Sequence, residues 1–228
     1  MINIKWHELS QYFFNKSLKA TFSHRDIKAH EVYKCSDFVK ISGFKHQLLA
    51  IPNQTHSINV IKRSVGGFFF NTDGIFSSNP MLVCSIQVAD CLPIYFAHRT
   101  EILFGIVHAG WRGLMNGIIS KSIKLIKSEK KLIKDIDIYI GPSIQACCFE
   151  VSDDIVKIFS NKHKQKKDNG RYSINLQKIA KEKLCSEGVL EKHINISNDC
   201  TFCLEDRYFS FRREGEKAGR MFGLIGVR

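Results

Sequence analysis

Histidine and cysteine are the residue types through which this chain could bind a transition metal. The 228-residue sequence contains nine histidines and eight cysteines, so accidental pairs are expected and position must discriminate among them. His56, Cys91 and His108 each lie at the edge of a strand-like segment, beside a turn. Two imidazoles and a thiolate suit Zn²⁺. Position alone leaves two interpretations open, a shared metal site or three separate structural residues.

A second cysteine pattern is the single CxxC motif Cys200-Thr201-Phe202-Cys203. A structural zinc site there would need a second pair of ligands. Only Cys147 and Cys148, which are next to each other in the sequence, offer one. The sequence therefore does not favour structural zinc at this motif. We expect the eight cysteines to be reduced thiols of a cytoplasmic protein, because a chain of this length does not need disulfides to fold.

The three candidate ligands need strands and turns to position them. Met81 to Gln87 reads as a buried strand, and Leu92 to Ala97 with Ile102 to Val107 predict a β-hairpin whose second strand leads directly to His108. Apolar spacing over Leu114 to Leu132 predicts an amphipathic helix with a lysine-rich outer face. His108 is thus expected at a strand-to-helix turn, where ligand-binding residues commonly lie.

The rest of the chain alternates short strands and helices. Hydrophobic residues make up 44% of it and charged residues 25%, a composition that predicts a folded protein with a sizeable core. We predict one mixed α/β (α+β) domain over residues 1–228, with mixed sheets flanked by helices. The remaining predicted elements are a strand over 48–61 broken at Pro52-Asn53, a strand over 137–140, a helix over 151–159 behind Ser152, a polar loop over 160–171, a helix over 176–187 ended by Gly188, and a strand over 208–213.

Several function classes lack a sequence signature here. The N-terminus does not resemble a signal peptide, and no apolar run approaches the about 20 residues of a membrane helix. Neither a GxGxxG motif nor a Walker loop is present. The net charge of +12 includes many lysines in segments 121–134 and 162–171, which we interpret as solvated faces. We therefore expect neither a membrane nor a specific nucleic acid as partner.

Four longer segments identify a family. They read ADCLPIYF (89–96), HAGWRGL (108–114), GPSIQACCFEV (141–151) and YFSFRREGEKAGR (208–220), and QTHSINV (54–60) and Cys200-Thr201 add to them. Together they strongly resemble the YfiH-like family. That family is also labelled laccase-domain or multicopper polyphenol oxidase proteins, and it is associated with purine nucleoside phosphorylase activity.

This resemblance implies a YfiH-like fold in which His56, Cys91 and His108 are catalytic residues and metal ligands. Zn²⁺ is the expected metal and Cu²⁺ the alternative, and three protein ligands leave the open position of a catalytic site. Zn²⁺ lowers the pKa of a bound water from about 15.7 to about 7. The implied activity is phosphorolysis of adenosine, inosine or S-methyl-5′-thioadenosine, with adenosine deamination, by a monomer or homodimer. The family pattern gives Cys147 and Cys148 no metal role and predicts that they are buried.

The same motifs supply candidate substrate-binding residues. Guanidinium groups pair bidentately with phosphate, although structural ion pairs are the alternative role for each arginine. Asp90 could orient a ligand, act as a base or stabilise a turn, and Gln54 could bond to substrate or to a neighbouring ligand. Trp111 and Phe149 could stack on a base, with core packing as the favoured role. The candidate phosphate-binding arginines are Arg112, Arg212, Arg213 and Arg220.

The departures from the family pattern fall outside the three ligands. Ser57 stands where the family has glycine, Val88 stands where it usually has threonine, and the N-terminal part is poorly matched. If the N-terminal part supplies substrate contacts, its difference bears on the expected nucleoside preference and not on the metal site.

Other functions compete with the phosphorylase. Cys91 as nucleophile and His108 as base would make a cysteine hydrolase, such as an amidase that edits peptidoglycan, a role linked to some family members. A copper-dependent oxidase of phenols is disfavoured, because multicopper oxidases use His-x-His pairs and this chain has none. Metal buffering or scaffolding would need no catalysis.

Overall fold

The computed structural model describes residues 5–25, 35–44 and 48–228. The strands of these residues are β1 (Trp6–Glu8), β2 (Leu18–Ser23), β3 (Leu48–Pro52), β4 (Val60–Lys62), β5 (Gly67–Phe69), β6 (Gly74–Ser77), β7 (Leu82–Val88), β8 (Leu92–His98), β9 (Phe104–Ala109), β10 (Ile136–Ile140), β11 (Glu150–Val151), β12 (Lys164–Lys166), β13 (Tyr172–Ile174), β14 (Ile194–Ile196) and β15 (Met221–Val227). The α-helices are α1 (Cys35–Ile41), α2 (Trp111–Asn116), α3 (Ile118–Ser128), α4 (Asp153–Val156), α5 (Leu176–Ser186) and α6 (Phe211–Glu214).

Two six-stranded mixed sheets dominate the architecture. The first has the order β1-β2-β15-β7-β3-β5 and the second the order β14-β10-β8-β9-β6-β4. The predicted hairpin is confirmed as antiparallel β8 and β9, in which Pro93 lies opposite His108. A smaller sheet, β11-β13-β12, has its strand β12 within the 160–171 segment that we predicted to be a polar loop. The mixed α/β class predicted from the sequence is confirmed.

The two large sheets pack face to face, and this packing explains why almost every residue of β8 is apolar. Tyr95 and Ala97 point into the core shared with β7 and β15, whereas Ile94 and Phe96 point towards the helices. A strand covered on both faces needs apolar residues at successive positions rather than at alternate ones. The buried Tyr95 hydroxyl donates to the Thr21 carbonyl of the other sheet at 2.8 Å.

Helices cover the outer faces of the sandwich. α2, α3 and α5 contribute to the core on the outer side of the second sheet, and α1 packs on the outer side of the first. The helix predicted over 114–132 is two helices, because Gly117 adopts a left-handed conformation with φ of 102° and ends α2 before α3 begins. The α5 prediction is confirmed, and its N-cap is Asn175, whose side chain accepts from the Lys178 amide. None of the helices described is long and apolar enough to cross a bilayer.

Two other predicted elements were wrong. The helix expected over 151–159 is one turn, α4, preceded by strand β11. No strand forms over 208–213; residues 211–214 form helix α6, whose N-cap Ser210 accepts from the Arg213 amide. In the second case the alternating apolar text suggested a strand, but a capping serine and a tertiary hydrogen bond from the Arg212 amide to Asp90 select a helical turn.

Candidate metal centre

His56, Cys91 and His108 come together from three separate segments, and we call them the histidine centre. His56 lies in the loop between β3 and β4, Cys91 lies between β7 and β8, and His108 lies on β9. Their ligand atoms all lie within 4.8 Å of one another, and Cys91 Sγ is 3.9 Å from His56 Nε2. This donor set of two nitrogens and one sulfur fits a metal ion held by three protein ligands.

Asp73, which the sequence analysis did not single out, holds this centre in place. Its buried carboxylate accepts from His108 Nδ1 at 2.8 Å, from the His56 amide at 3.1 Å, and from the Ser57 amide and hydroxyl at 2.8 and 2.6 Å. The bond to Nδ1 leaves His108 Nε2 for the metal, which is the usual support of a ligating histidine. The bonds to the backbone hold His56 at its left-handed φ of 59°. The sequence signal for Asp73 was its place just before β6, and that is too common a pattern to mark it.

Glycine permits the close approach of α2 to the ligands. A Cβ atom at Gly110 would lie 3.0 Å from Cys91 Sγ and 3.0 Å from His56 Cδ2. A Cβ atom at Gly113 would lie 2.9 Å from the Ser57 carbonyl oxygen. These contacts are too short for any other residue without displacing its neighbours. The HAGWRG segment therefore positions the candidate ligands as well as contributing one of them, His108.

Charge couples the residues of the histidine centre. Burial alone would raise the pKa of Cys91, but His108 and His56 outweigh it and lower that pKa to about 6. Burial alone would lower the pKa of His108, but Cys91 and Asp73 raise it to about 9. The pKa of Asp73 is lowered to about 2, because the hydrogen bonds from His108 and Ser57 outweigh the effect of its burial. Cys91 is thus readily available as a thiolate, the form that binds metal.

A cavity of about 570 Å³ opens beside the histidine centre. It brings together most of the sequence-predicted site residues, and three arginines from three different segments reach it. The residues that line it include His56, Cys91, His108, Gln54, Asp90, Trp111, Arg112, Phe149, Phe211, Arg212 and Arg220.

The three arginines of the cavity carry positive charge without carboxylate partners. Within the described ranges, neither Arg112, Arg212 nor Arg220 forms an ion pair. Arg112 stacks on the Trp111 ring at 4.6 Å, and Arg212 lies 5.4 Å from the centre of the Phe149 ring. Their remaining N–H donors are available to an anion in the cavity.

The other predicted substrate residues make contacts within the protein. Arg213 does not line the cavity, and its guanidinium donates to the carbonyl oxygens of Thr201, Phe202 and Tyr208 and to Glu214. The Gln54 amide pairs with the backbone of Gln87 in both directions, at 2.7 and 2.8 Å. Asp90 accepts from the Thr201 hydroxyl at 2.6 Å and from the Arg212 amide at 2.9 Å. Gln54 and Asp90 therefore order the loops of the cavity wall.

Comparison with known proteins places this arrangement in a family. A family model described as "Multi-copper polyphenol oxidoreductase laccase" matches residues 4–228. The chain belongs to this laccase-like family. Relatives of the laccase-like chain carry the name purine nucleoside phosphorylase. One from Haemophilus influenzae is 32% identical over 180 residues, or 75% of this chain and 71% of the relative. YlmD of Geobacillus stearothermophilus is 34% identical over 164 residues, or 68% of this chain and 60% of the relative.

Solved structures of laccase-like proteins share the fold. YfiH from Bacillus licheniformis superposes with a TM-score of 0.84 at 26% identity, over 92% of this chain and 93% of its own. YlmD from Geobacillus stearothermophilus superposes with a TM-score of 0.85 at 25% identity, over 94% and 93%. The resemblance read from the sequence motifs is confirmed.

Proposed function

We propose that this laccase-like protein is a zinc-dependent purine nucleoside phosphorylase with adenosine deamination as a second reaction. Its substrates are adenosine, inosine or S-methyl-5′-thioadenosine, together with phosphate. The observation that carries the proposal is a single cavity in which a three-residue nitrogen and sulfur donor set faces three arginines that form no ion pair with any residue the structure describes. The names of the relatives agree with it.

The residues of the histidine centre fit a catalytic metal ion. His56, Cys91 and His108 would hold it, Asp73 would keep His108 oriented, and the cavity on the open side would admit substrate. When bound, Zn²⁺ supplies a Lewis acid and makes a coordinated water more acidic. The donor set also accepts Cu²⁺, so metal analysis of the purified protein decides between the two ions.

The cavity arginines would bind and orient the phosphate. In phosphorolysis a phosphate oxygen bonds to C1′ of the ribose while the C1′–N9 bond breaks, and the purine leaves with the bonding electrons. Arg112, Arg212 and Arg220 can hold the anion near the sugar and spread its charge. The partly exposed ring of Trp111 and the buried ring of Phe149 line the same cavity, and each offers an edge or a face against which a purine can stack.

The reaction can be tested directly. The purified metal-loaded protein is incubated with adenosine, with and without phosphate, and adenine, ribose 1-phosphate, inosine and hypoxanthine are resolved by chromatography. We expect phosphate-dependent release of adenine. His108→Ala should lose both activity and the metal of the histidine centre, whereas the control His193→Ala, outside the cavity, should keep both. No turnover by a fully metal-loaded protein would overturn the proposal.

One observation favours a second candidate, a cysteine hydrolase. Cys91, His108 and Asp73 form a hydrogen-bonded series in which a thiol is next to an imidazole oriented by a carboxylate. Such an enzyme would act without phosphate, would survive chelation, and would be inactivated by alkylation of Cys91. The phosphorylase needs both phosphate and metal, so a chelation experiment with each substrate class separates the two.

Two further expectations stay proposals. We infer that the chain acts as one domain, because residues of both large sheets share a core. A monomer or a homodimer is the expected state, which light scattering would establish.

A further inference from the structure

Four cysteines from two distant segments meet at the surface, and we call them the four-cysteine cluster. Cys147 and Cys148 lie between β10 and β11, and Cys200 and Cys203 lie after β14. Their four sulfur atoms all lie within 4.8 Å of one another. Cys203 Sγ is 3.3 Å from Cys148 Sγ and 3.8 Å from Cys147 Sγ. The two segments also meet through a β-bridge between Ser143 and Cys200.

These distances fit a single tetrahedral metal ion. Zn–S bonds of about 2.3 Å at tetrahedral angles separate neighbouring sulfur atoms by about 3.8 Å. The separations of Cys203 Sγ from Cys147 Sγ and Cys148 Sγ, 3.8 and 3.3 Å, lie close to this value. An iron–sulfur cluster holds its cysteine sulfurs around a core of several atoms, and such a core needs more room than the four sulfurs leave between them.

Exposure and hydrogen bonding also suit a metal site. Cys147 and Cys203 are exposed, Cys148 is half-buried and Cys200 is buried, so an ion can enter from solvent. This exposure corrects the expectation that Cys147 and Cys148 are buried. The backbone N–H of Gln145 donates to Cys200 Sγ at 3.4 Å, and such bonds orient thiolate ligands around a metal.

We propose that Cys147, Cys148, Cys200 and Cys203 bind one structural Zn²⁺. Four thiolates complete the tetrahedral coordination and leave no position for substrate, which is the pattern of a structural site. The site is separate from the histidine centre and shares no ligand with it. Its ion would join the 141–151 loop to the 197–204 loop.

The 141–151 loop contributes Ile144 and Phe149 to the cavity lining, and the 197–204 loop packs against that loop. The carbonyl oxygens of Cys148 and Glu150 accept from Arg212 Nη1 at 3.4 and 3.0 Å, and Phe149 lies between these two residues. On the other loop, Thr201 donates to Asp90. A metal at the four-cysteine cluster would therefore keep Arg212 and Phe149 in place without touching substrate.

The test counts metal in the full-length protein, purified under reducing conditions. We expect two zinc ions per wild-type chain, and one in His108→Ala, whose histidine centre is disabled. Adding Cys203→Ser or Cys148→Ser to His108→Ala should remove the remaining ion, whereas adding Cys185→Ser, a cysteine outside the cluster, should not. Co²⁺ bound to His108→Ala should show the sulfur-to-metal charge-transfer absorption and the intense visible bands of tetrahedral thiolate coordination.

Alkylation provides a test that needs no cysteine variant. In the zinc-loaded protein, the four cluster cysteines should resist N-ethylmaleimide until a chelator is added, while Cys185 reacts in both conditions. Peptide mass spectrometry reads each site. The proposal is overturned if His108→Ala binds neither Zn²⁺ nor Co²⁺, or if its metal survives Cys203→Ser. A disulfide between cluster cysteines in protein purified anaerobically would equally overturn it, because that bond removes two ligands.

Discussion

The histidine centre and the four-cysteine cluster differ in donor atoms, in burial and in the structure that supports them. The histidine centre offers three ligands, has Asp73 behind it, and faces a cavity. The four-cysteine cluster offers four sulfur atoms at the surface and lies behind the cavity wall. Ligand number and surroundings separate the two roles: three ligands beside a cavity leave room for chemistry, whereas four ligands at the junction of two loops suit cross-linking.

Replacement of Asp73 should weaken metal binding at the histidine centre alone, and we expect this to be the strongest of the effects below. In Asp73→Asn an amide nitrogen replaces one of the two acceptor oxygens, so the bonds to His108 and to the 55–57 turn cannot all form. We expect Zn²⁺ affinity at the histidine centre to fall about 10- to 100-fold, measured by competition with a chromophoric chelator. The four-cysteine cluster should keep its ion. Asp168→Asn, on the exposed surface, is the control, and equal metal loss from both sites would contradict the assignment.

A second comparison uses adjacent arginines on α6. Arg212→Lys keeps the charge but removes the planar fork beside Phe149, so KM for phosphate should rise about tenfold with a small change in kcat. Arg213→Lys should instead lower the melting temperature, because Arg213 donates to three carbonyl oxygens and a carboxylate. Steady-state kinetics and thermal melts measure both. The same rise in KM for both variants would argue against a specific role for Arg212.

Thr201→Val tests the link between the 197–204 loop, which carries Cys200 and Cys203, and the histidine centre. The Thr201 hydroxyl is buried and donates to Asp90, the neighbour of Cys91. Its loss leaves a buried carboxylate oxygen without a donor and should reduce the free energy of unfolding by about 1–3 kcal/mol. Urea unfolding measures this, with exposed Thr100→Val expected within about 0.5 kcal/mol of wild type. If Thr201→Val left the free energy of unfolding unchanged, the hydrogen bond would not couple the 197–204 loop to the segment that carries Asp90.

Acid can destabilise the protein by releasing metal and also by protonating groups away from both metal sites. His24 is a group of the second kind, and its replacement should have a smaller effect than the variants above. Burial, with help from His7 and Arg207, lowers the pKa of His24 from 6.5 to about 4. The folded state therefore favours neutral His24. Its contribution to stability is complete above about pH 6.5 and declines as the pH falls towards about 4, because the unfolded chain takes up the proton first.

His24→Gln should flatten the pH dependence of the melting temperature over that range. Acid release of both metals should occur at the same pH as in wild type, since His24 contacts neither site. A melting profile as steep as that of wild type would show that other groups cause the acid loss.

Much of the histidine centre was predictable from local sequence patterns. The β8–β9 hairpin follows from two apolar runs with a polar turn, and His108 follows at its end. The family resemblance joined His56 and Cys91 to it. Asp73 was not predictable, because its role comes from contacts with His108 and with a turn 16 to 18 residues earlier in the chain.

The four-cysteine cluster shows the opposite balance. The CxxC motif had one distant pair to join it, Cys147-Cys148, and the sequence did not favour a structural zinc site. The two pairs are more than 50 positions apart, and Cys147 and Cys203 become neighbours across 56 residues. Sheet order creates this contact, because β10 and β14 are parallel neighbours and their following loops meet at one edge. Loop closure over such a distance has no signature in the intervening sequence.

Local sequence patterns account for the apolar runs of the hairpin, the capped helix α5, the candidate ligand side chains, and the glycines that let α2 approach Cys91. Which of those side chains meet depends on the tertiary fold. It placed Asp73 behind His108, turned Arg213 away from the cavity and left Arg212 in it, and gathered four cysteines at one surface. Local patterns report the conformation of neighbouring residues, whereas the order of strands in two packed sheets decides which distant loops share a site.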